Sequence, residues 1–199
     1  MLVRGEDGKQ RCWWCGDDPL YQAYHDNEWG RPVTEDNKVF ERLVLEGFQS
    51  GLSWYTILKK RDNFRAAFDG FEIEKVAGYK ARKITSLLAD AGIVRHRGKI
   101  ESAINNARCA LKMAEQGEHL GDFVWQFQPD PASRPRKLTR EALVAMSTTP
   151  ESKALSKELK RRGWSFVGPT TMYAAMQAIG LVNDHLHGCH ARAALDPPR

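Results

Sequence analysis

Apolar residues recur at three- and four-residue spacing along most of the chain, whereas the alternation of apolar and polar residues typical of half-buried strands is nearly absent. We predict Asp36 as the N-cap of the first long helix and Ser53 as the cap of the next. The apolar stripe of the first helix consists of Val39, Phe40, Leu43, Val44 and Phe48. The buried residues expected in the second are Trp54, Ile57, Leu58, Phe64 and Phe68. The pattern predicts an all-α protein.

Further helices are predicted at residues 80–91, 97–116, 139–146, 151–162 and 170–180. The start of the helix over 151–162 has a clear signature in Thr148-Thr149-Pro150-Glu151. This tetrapeptide offers a hydroxyl cap, a proline for the first turn and, in Glu151, the acidic residue of a capping box.

The stretch at 128–137 is the one linker-like segment of the sequence, because it places three prolines in a polar, basic context that cannot continue a helix. A domain boundary there is one interpretation, but the sequence contains no internal repeat, and we prefer a surface loop within one domain. The predicted domain covers residues 1–199, with its core at 11–190 and flexible tails at 1–10 and 191–199.

Composition narrows the class of protein without deciding it. The 199 residues include 30 Lys and Arg against 25 Asp and Glu, so the net charge is +5, which weakly favours a polyanionic partner. No run of 18 apolar residues occurs, and the polar start MLVRGEDGKQ does not resemble a signal peptide, so we expect a cytoplasmic protein. In that reducing compartment four cysteines indicate metal binding or thiolate chemistry rather than disulfides.

Five aromatic residues fall between positions 13 and 29, where the overall aromatic content of 10% predicts about two. Core filling accounts for any single one of them. The group is better explained by a planar or cationic ligand, because several Tyr and Trp faces beside a carboxylate combine stacking with charge.

Glu46 is the candidate carboxylate, since it follows an apolar helix stripe and is surrounded by apolar and small residues. A solvated carboxylate at a helix end is the simpler interpretation. An unpaired charge in apolar surroundings is costly, however, and a cationic ligand would offset that cost.

Cysteine and histidine residues cluster near both ends of the chain. His185 and Cys189 are four residues apart, so one helical turn would direct both at the same point, and Cys12 and His25 offer a second pair. Cys15, His187 and His190 provide competing ligand sets. Spacing therefore predicts a zinc site of Cys/His composition and leaves its four ligands open.

The segment 159–171 reads as two helices joined by a short turn, with basic residues before Gly163 and a new helix after Gly168. Gly168 permits close approach of a ligand to the backbone, and the N–H groups of the following turn point at an anion. This is the pattern of a helix-hairpin-helix, which grips a phosphate without reading sequence. A plain helix corner is the alternative.

Several long motifs resemble those of the bacterial 3-methyladenine DNA glycosylase I family, and the similarity runs from about Arg11 to Cys189. They are residues 24–30 (YHDNEWG), 45–47 (LEG) with 51–54 (GLSW), 95–100 (RHRGKI), 166–168 (FVG) and 180–185 (GLVNDH). The resemblance implies an all-helical helix-hairpin-helix glycosylase fold with a structural zinc that joins the N- and C-terminal segments.

The resemblance also implies a role for each matching residue. The zinc ligands would be Cys12, His25, His185 and Cys189. Glu46 would be the catalytic residue of the base pocket, with Trp14, Tyr21, Tyr24, Trp29 and Trp54 as base-binding residues. The DNA contacts would be Gly51, Leu52, Ser165, Gly168 and Thr170. The first ten residues and the loop at 128–137 depart from the family pattern.

The implied activity is monofunctional hydrolysis that flips 3-methyladenine out of double-stranded DNA, removes it and leaves an abasic site, with a monomer as the acting species. No Lys follows Gly168, where lyase-type glycosylases hold their nucleophile, and we assign no catalytic role to Asp184. A non-catalytic zinc-stapled DNA-binding module is the alternative. A zinc hydrolase is disfavoured, because four protein ligands leave no position for an activated water.

Overall fold

Helices make up most of the chain in the computed structural model, which describes residues 1–135 and 137–195. The predicted tail residues 196–199 lie outside the described residues. The helices are α1 (Pro19–Asn27), α2 (Asp36–Gln49), α3 (Trp54–Ala67), α4 (Ile73–Ala77), α5 (Ala81–Ala89), α6 (Arg97–Glu115), α7 (Leu120–Trp125), α8 (Arg140–Ala145), α9 (Pro150–Arg161), α10 (Pro169–Ile179) and α11 (His190–Leu195). The periodicity predicted α2, α3, α5, α6, α8, α9 and α10 to within a few residues.

Two helix starts differ in detail from the predictions. Glu35, not Asp36, is the N-cap of α2, and Asp36 instead accepts a hydrogen bond from the backbone N–H of Gly121 at 2.8 Å, which fixes the start of α7. At α9 the cap is Thr149, so the third helical position is Ser152, and Ser152 completes the capping box in place of Glu151. The predicted cap of α3 is confirmed, since Ser53 accepts from the N–H of Thr56 at 3.2 Å.

The N-terminus is a short β-hairpin rather than the flexible tail we predicted. Strands β1 (Leu2–Arg4) and β2 (Gln10–Cys12) pair antiparallel, with Leu2 opposite Cys12. Arg11 of β2 is buried and forms ion pairs with Asp7 and Asp26 at 2.7 Å, and the second pair joins the hairpin to α1. Residues 190–195, also overlapping a predicted tail, form α11.

Helix α2 is the central element of the core. Its residues 39–48 are all buried, and it packs against α3, α6, α7 and α10. The five buried residues predicted for the segment 54–68 are buried as expected. Any polar side chain within residues 39–48 of α2 therefore lies in the interior, either packed against other residues or lining a cavity.

The remaining features concern the surface. The loop at 128–137 contains one 3-10 turn, Pro131–Ser133, and otherwise no helix among its described residues, as its prolines predict. Across the part of the chain that the structure describes, no helix is long and apolar enough to cross a membrane.

Candidate active site

Two cysteines and two histidines from opposite ends of the chain converge on one point. The ring nitrogens Nε2 of His25 and Nδ1 of His185 are 3.1 Å apart, and Sγ of Cys189 lies 3.5 Å and 3.7 Å from them. Sγ of Cys12 lies 3.9 Å from Nδ1 of His185. All four side chains are buried, and their ligand atoms lie within 4.8 Å of one another. The four residues therefore form a cluster able to hold one metal ion.

A reverse turn, not the predicted helical turn, brings His185 and Cys189 together. The segment between them is non-helical, and Gly188 has a φ of 87°, a left-handed conformation that favours glycine. The N–H of Cys189 donates to the carbonyl of Leu186 at 3.0 Å, which closes the turn.

The outer nitrogens of both histidines are already used. Nδ1 of His25 donates to Asp26 at 2.7 Å, and Nε2 of His185 donates to the carbonyl of Trp29 at 3.1 Å. Because a carboxylate and a carbonyl only accept, both rings present a lone pair to the inside of the cluster. Nε2 of His25 also faces the backbone N–H of Cys12 at 3.3 Å. Two buried lone pairs 3.1 Å apart still repel each other unless a cation lies between them, and this outer bonding is typical of metal-binding histidines.

The three competing candidates lie outside this cluster. The thiol of Cys15 donates to the carbonyl of Cys12 at 3.1 Å, and burial raises the pKa of Cys15 to about 11, so it remains a thiol. His187 is exposed, whereas His190 contacts Asp26 through Nε2 at 2.8 Å. His190 thus supports the partner of a cluster residue.

A cavity of about 180 Å³ opens between α1, α2, the start of α3 and α10. Its lining residues are Trp14, Tyr21, Tyr24, Trp29, Glu46, Gln49, Trp54, Ala174 and Gln177. The structure therefore brings the five aromatic candidates and Glu46, which are spread over 41 positions from 14 to 54, to one cavity.

The aromatic rings of this pocket pack against one another and against the histidines of the metal-binding cluster. Trp14 meets Trp29 edge-on with ring centroids 4.9 Å apart, and Tyr24 lies 5.2 Å from Trp54. Trp14 lies 5.1 Å from His25, and Trp29 lies 4.8 Å from His185. One wall of the pocket is therefore the outer surface of the cluster.

Among the residues that the structure describes, Glu46 is the one carboxylate that lines this cavity. It is 5% exposed, and its Oε2 has no hydrogen-bond partner among the described residues. Burial raises the pKa of Glu46 to about 8, because removal from water disfavours the charged form, and the charge of Arg42 opposes this only weakly. The indole Nε1 of Trp54 is buried and, within residues 1–135 and 137–195, likewise unpartnered.

Glu46 forms no ion pair with any described residue, because the carboxylate of Glu28 pairs with the nearby arginines. Arg42 and Arg61 both form ion pairs with Glu28, at 2.9 Å and 2.6 Å, and both guanidinium groups also lie about 6 Å from the ring centre of Tyr24. The pocket thus keeps an uncompensated acid against aromatic faces. Such a site suits a flat cation.

Three lining residues were not among the sequence predictions. Gln49 follows Glu46 by three positions on α2, so helical spacing alone placed it on the same face. Ala174 and Gln177 lie on α10, and nothing in the sequence indicated which face of that helix meets the pocket.

The loop between α2 and α3 carries the predicted DNA contacts Gly51 and Leu52. Gly51 has a φ of 79°, and Leu52 is 42% exposed, unusual for a leucine. The ammonium group of Lys99 donates to the carbonyls of Phe48 and Ser50 at 2.8 Å and 2.6 Å. This anchor holds the loop so that the leucine stays in solvent.

The turn between α9 and α10 carries the other predicted contacts. Asn106 of α6 bonds both the N–H and the carbonyl of Ser165 at 2.9 Å, and the hydroxyl of Ser165 lies 2.7 Å from that of Ser102, so Ser165 anchors the turn. Thr170 is exposed, and a Cβ on Gly168 would meet only Thr171 Oγ1, at 3.8 Å. The approach to the start of α10 is therefore open.

The aromatic pocket contains a buried acid and is supported by a Cys/His cluster within a helical fold. These features indicate an enzyme that binds a flat, cationic ligand. The chain belongs to the methyladenine glycosylase family, whose sequence profile matches residues 14–193. It is therefore a glycosylase, a hydrolase that acts on N-glycosyl bonds. The family resemblance noted from the motifs is confirmed.

Individual relatives are similar over nearly their whole length. DNA-3-methyladenine glycosylase 1 of Escherichia coli K12 is 52% identical over 181 residues, which cover 90% of this chain and 95% of that protein. A crystal structure of 3-methyladenine DNA glycosylase I superposes with a TM-score of 0.83 at 50% identity, covering 91% of this chain and 98% of that one. A single-residue variant of such an enzyme in complex with 3-methyladenine superposes with a TM-score of 0.82 at 36% identity, covering 92% and 97%.

Proposed function

We propose that the protein removes 3-methyladenine from alkylated double-stranded DNA by hydrolysing its N-glycosyl bond, leaving an abasic site. The observation that carries the proposal is Glu46, a buried and uncompensated carboxyl group in an aromatic pocket. The names of the relatives support the choice of base.

The pocket suits an alkylated adenine better than a normal one. A methyl group on N3 gives the nucleotide base a positive charge, which is attracted to the faces of Tyr24 and Trp54 and to the carboxylate of Glu46. Neutral adenine gains neither attraction. Selection by charge therefore requires no reading of the DNA sequence.

The chemical step needs little help from the protein. The cationic base leaves as a neutral group, so its bond to C1′ is already weakened. That bond breaks with its electron pair passing to the base, water adds to C1′, and the proton of that water goes to solvent. The enzyme mainly extrudes and holds the base, with Glu46 as the residue that contacts it. Asp184 takes no part, because it is bonded to Arg134, Tyr173 and Gln177.

The metal-binding cluster fits one structural Zn²⁺ per chain. Zinc binds His nitrogen at about 2.0–2.1 Å and Cys sulfur at about 2.3 Å, so the ligand atoms of a tetrahedral site lie roughly 3.3–3.8 Å apart. Four of the six distances between the cluster atoms, at 3.1 Å, 3.5 Å, 3.7 Å and 3.9 Å, are close to those values, and all six are within 4.8 Å. Four protein ligands complete the tetrahedron, so the metal would cross-link the chain ends behind the pocket and leave no position for a reacting water.

We further propose that α9, its turn and α10 act as a helix-hairpin-helix that binds a DNA phosphate. Gly168→Asp is expected to weaken binding to every duplex at least tenfold, because it puts a negative charge where the anion approaches. Asp is a favourable N-cap, so this variant should be no less stable than the wild type. Gly168→Ala, which meets nothing nearer than 3.8 Å, is the steric control. Normal DNA affinity of the Gly168→Asp variant would show that the turn is a plain helix corner that binds no phosphate.

Leu52 is proposed to fill the gap that the extruded base leaves in the duplex. Leu52→Ala is expected to slow excision from duplex DNA at least tenfold, because the apolar wedge is lost, while affinity for the free base is unchanged. Excision kinetics and tryptophan fluorescence quenching by free 3-methyladenine measure the two quantities. A parallel loss of both would place Leu52 in the pocket instead.

Release of free base is the direct test of the proposed function. Duplex DNA carrying radiolabelled methyl groups is incubated with the protein, and the released bases are separated by chromatography. We expect labelled 3-methyladenine in the soluble fraction and abasic sites in the duplex. Tight binding of methylated duplex without release would instead support the non-catalytic zinc-stapled DNA-binding module.

A further inference from the structure

Gln177 offers one defined polar atom to the pocket. It lies on α10 one turn after Ala174, and its side-chain Nε2 donates to Oδ2 of Asp184 at 2.9 Å. Because a carboxylate only accepts hydrogen bonds, the NH₂ end of the amide must face Asp184. The amide oxygen Oε1 has no hydrogen-bond partner within the described part of the chain, so it remains available to the cavity that Gln177 lines.

Asp184 is held in place by two further hydrogen-bond donors. It is 1% exposed, and besides Gln177 it accepts hydrogen bonds from the hydroxyl of Tyr173 and from the guanidinium group of Arg134, a residue of the loop at 128–137. A buried carboxylate with three donors does not turn readily. The amide of Gln177 is therefore fixed in one of its two orientations, with the acceptor toward the pocket.

We propose that Oε1 of Gln177 accepts a hydrogen bond from the exocyclic amino group of the alkylated base, and that Asp184 is the positioning residue that keeps this oxygen turned to the pocket. The inference rests on the proposed function. In a 3-methyladenine nucleotide the sugar occupies N9 and the methyl group N3, so the exocyclic amino group carries the N–H donors of the base. Any acceptor that hydrogen-bonds an N–H of this base must use that group.

An acceptor at this position distinguishes adenine from guanine. 3-Methylguanine carries the same methyl group, but it has a carbonyl oxygen where adenine has its amino group, and two acceptors facing each other repel. Glu46 responds to the charge, which both alkylated nucleotides share. Gln177 would then supply the choice of purine, which charge and stacking alone do not provide.

Gln177→Leu tests the acceptor itself, because leucine has a similar size and no polar atom. We expect the ratio of the dissociation constants for free 3-methylguanine and free 3-methyladenine, measured by quenching of tryptophan fluorescence, to fall about fivefold, the effect of one hydrogen bond. An unchanged ratio would overturn the proposal. Release of 3-methyladenine by wild-type protein in the same series keeps that result distinct from failure of the proposed function.

Asp184→Asn tests the positioning role. The side-chain amide that this substitution introduces can donate to Oε1 of Gln177, which lets the Gln177 amide turn and present its NH₂ group to the base. We expect this variant to favour 3-methylguanine still more than Gln177→Leu does. If it fails to fold or to retain zinc next to His185, Gln177→Leu decides the proposal alone.

Arg134→Met is the matched control for a merely structural role of Asp184. It removes the donor to Oδ1 of Asp184 and leaves the hydrogen bond from Gln177 to Oδ2 in place. We expect a lower melting temperature and an unchanged ratio of dissociation constants. An equal fall of the ratio in Arg134→Met and Asp184→Asn would show that Asp184 supports the fold without orienting Gln177.

Discussion

Cys189→Ala is expected to lose the zinc that we propose for the Cys/His cluster and to unfold far below the melting temperature of the wild type. The cluster joins residues as distant as Cys12 and Cys189, which are 177 positions apart, so its loss frees both ends of the chain. Structural zinc contributes an apparent 10–16 kcal/mol or so in small zinc domains, comparable with the roughly 5–15 kcal/mol total stability of a typical domain. Metal content per chain and thermal unfolding of the same preparation measure the effect.

Cys15→Ala is the matched control for this prediction. Cys15 is as buried as Cys189, and its thiol makes a single hydrogen bond of normal length, to the carbonyl of Cys12. We expect one zinc per chain and a loss of about 1 kcal/mol of stability. Loss of metal from Cys15→Ala, or one metal per chain in Cys189→Ala, would contradict the ligand assignment. Loss of zinc from Cys189→Ala should also alter base binding, because Trp29 contacts His185 through its ring and its carbonyl group.

The helices could be predicted from the sequence because apolar periodicity reports directly on burial. The same signal fails for the N-terminal hairpin, whose strands of three residues are too short to show alternation. At α9 the difference from the prediction is local, because Thr149 is the cap and the third helical position is therefore Ser152. At α2 a tertiary partner competes with the local cap. Asp36 is drawn to the N–H of Gly121, which is 85 positions away in sequence.

Residue types and spacing predicted a Cys/His metal site and singled out Glu46, and the family resemblance implied which four ligands form the site. Rare residues in fixed motifs led to the cluster and to Glu46, since few roles suit a cysteine or a buried acid in such contexts. The pairing of Glu28 with both Arg42 and Arg61 is a tertiary arrangement that spacing does not reveal, although it leaves Glu46 uncompensated. Gln177 gave a weaker signal, as a lone amide in an otherwise apolar stretch of α10.

Glu46→Gln is expected to reduce excision of 3-methyladenine roughly a hundredfold. The variant keeps the size of the side chain and removes its charge, and the loss of the attraction between a buried carboxylate and a cationic base costs on the order of 2–3 kcal/mol. Binding to undamaged duplex should be almost unchanged, because the proposed DNA contacts lie elsewhere. Excision rates and duplex affinities are measured on the same preparations.

The pH dependence of base binding gives a second signature of Glu46. With its pKa raised to about 8, Glu46 is mostly protonated in the free protein at neutral pH. A bound cation favours the carboxylate, so binding releases a proton, and affinity for methylated DNA should rise with pH up to about 8 and then level off. In Glu46→Gln this rise should be absent.

Stability should change in the opposite direction. The folded-state pKa of about 8 lies above the ordinary 4.5, so the folded protein keeps a proton that the unfolded chain has released. Stability of the wild type therefore falls as pH rises from about 4.5 to 8, by up to roughly 1.4 kcal/mol per pH unit. Glu46→Gln carries no such penalty and should melt at a higher temperature than the wild type at pH 8.

Glu41→Gln is the control, because Glu41 is a buried carboxylate on the same helix that pairs with Arg65 at 2.8 Å and does not line the pocket. It should lose stability and retain excision, the reverse of Glu46→Gln. A buried carboxylate that pairs with a cation of the protein stabilises the fold. A buried carboxylate whose partner is a cationic ligand destabilises the fold until that ligand binds. Lower stability of Glu46→Gln at pH 8, together with equal losses on damaged and undamaged DNA, would make Glu46 a structural residue.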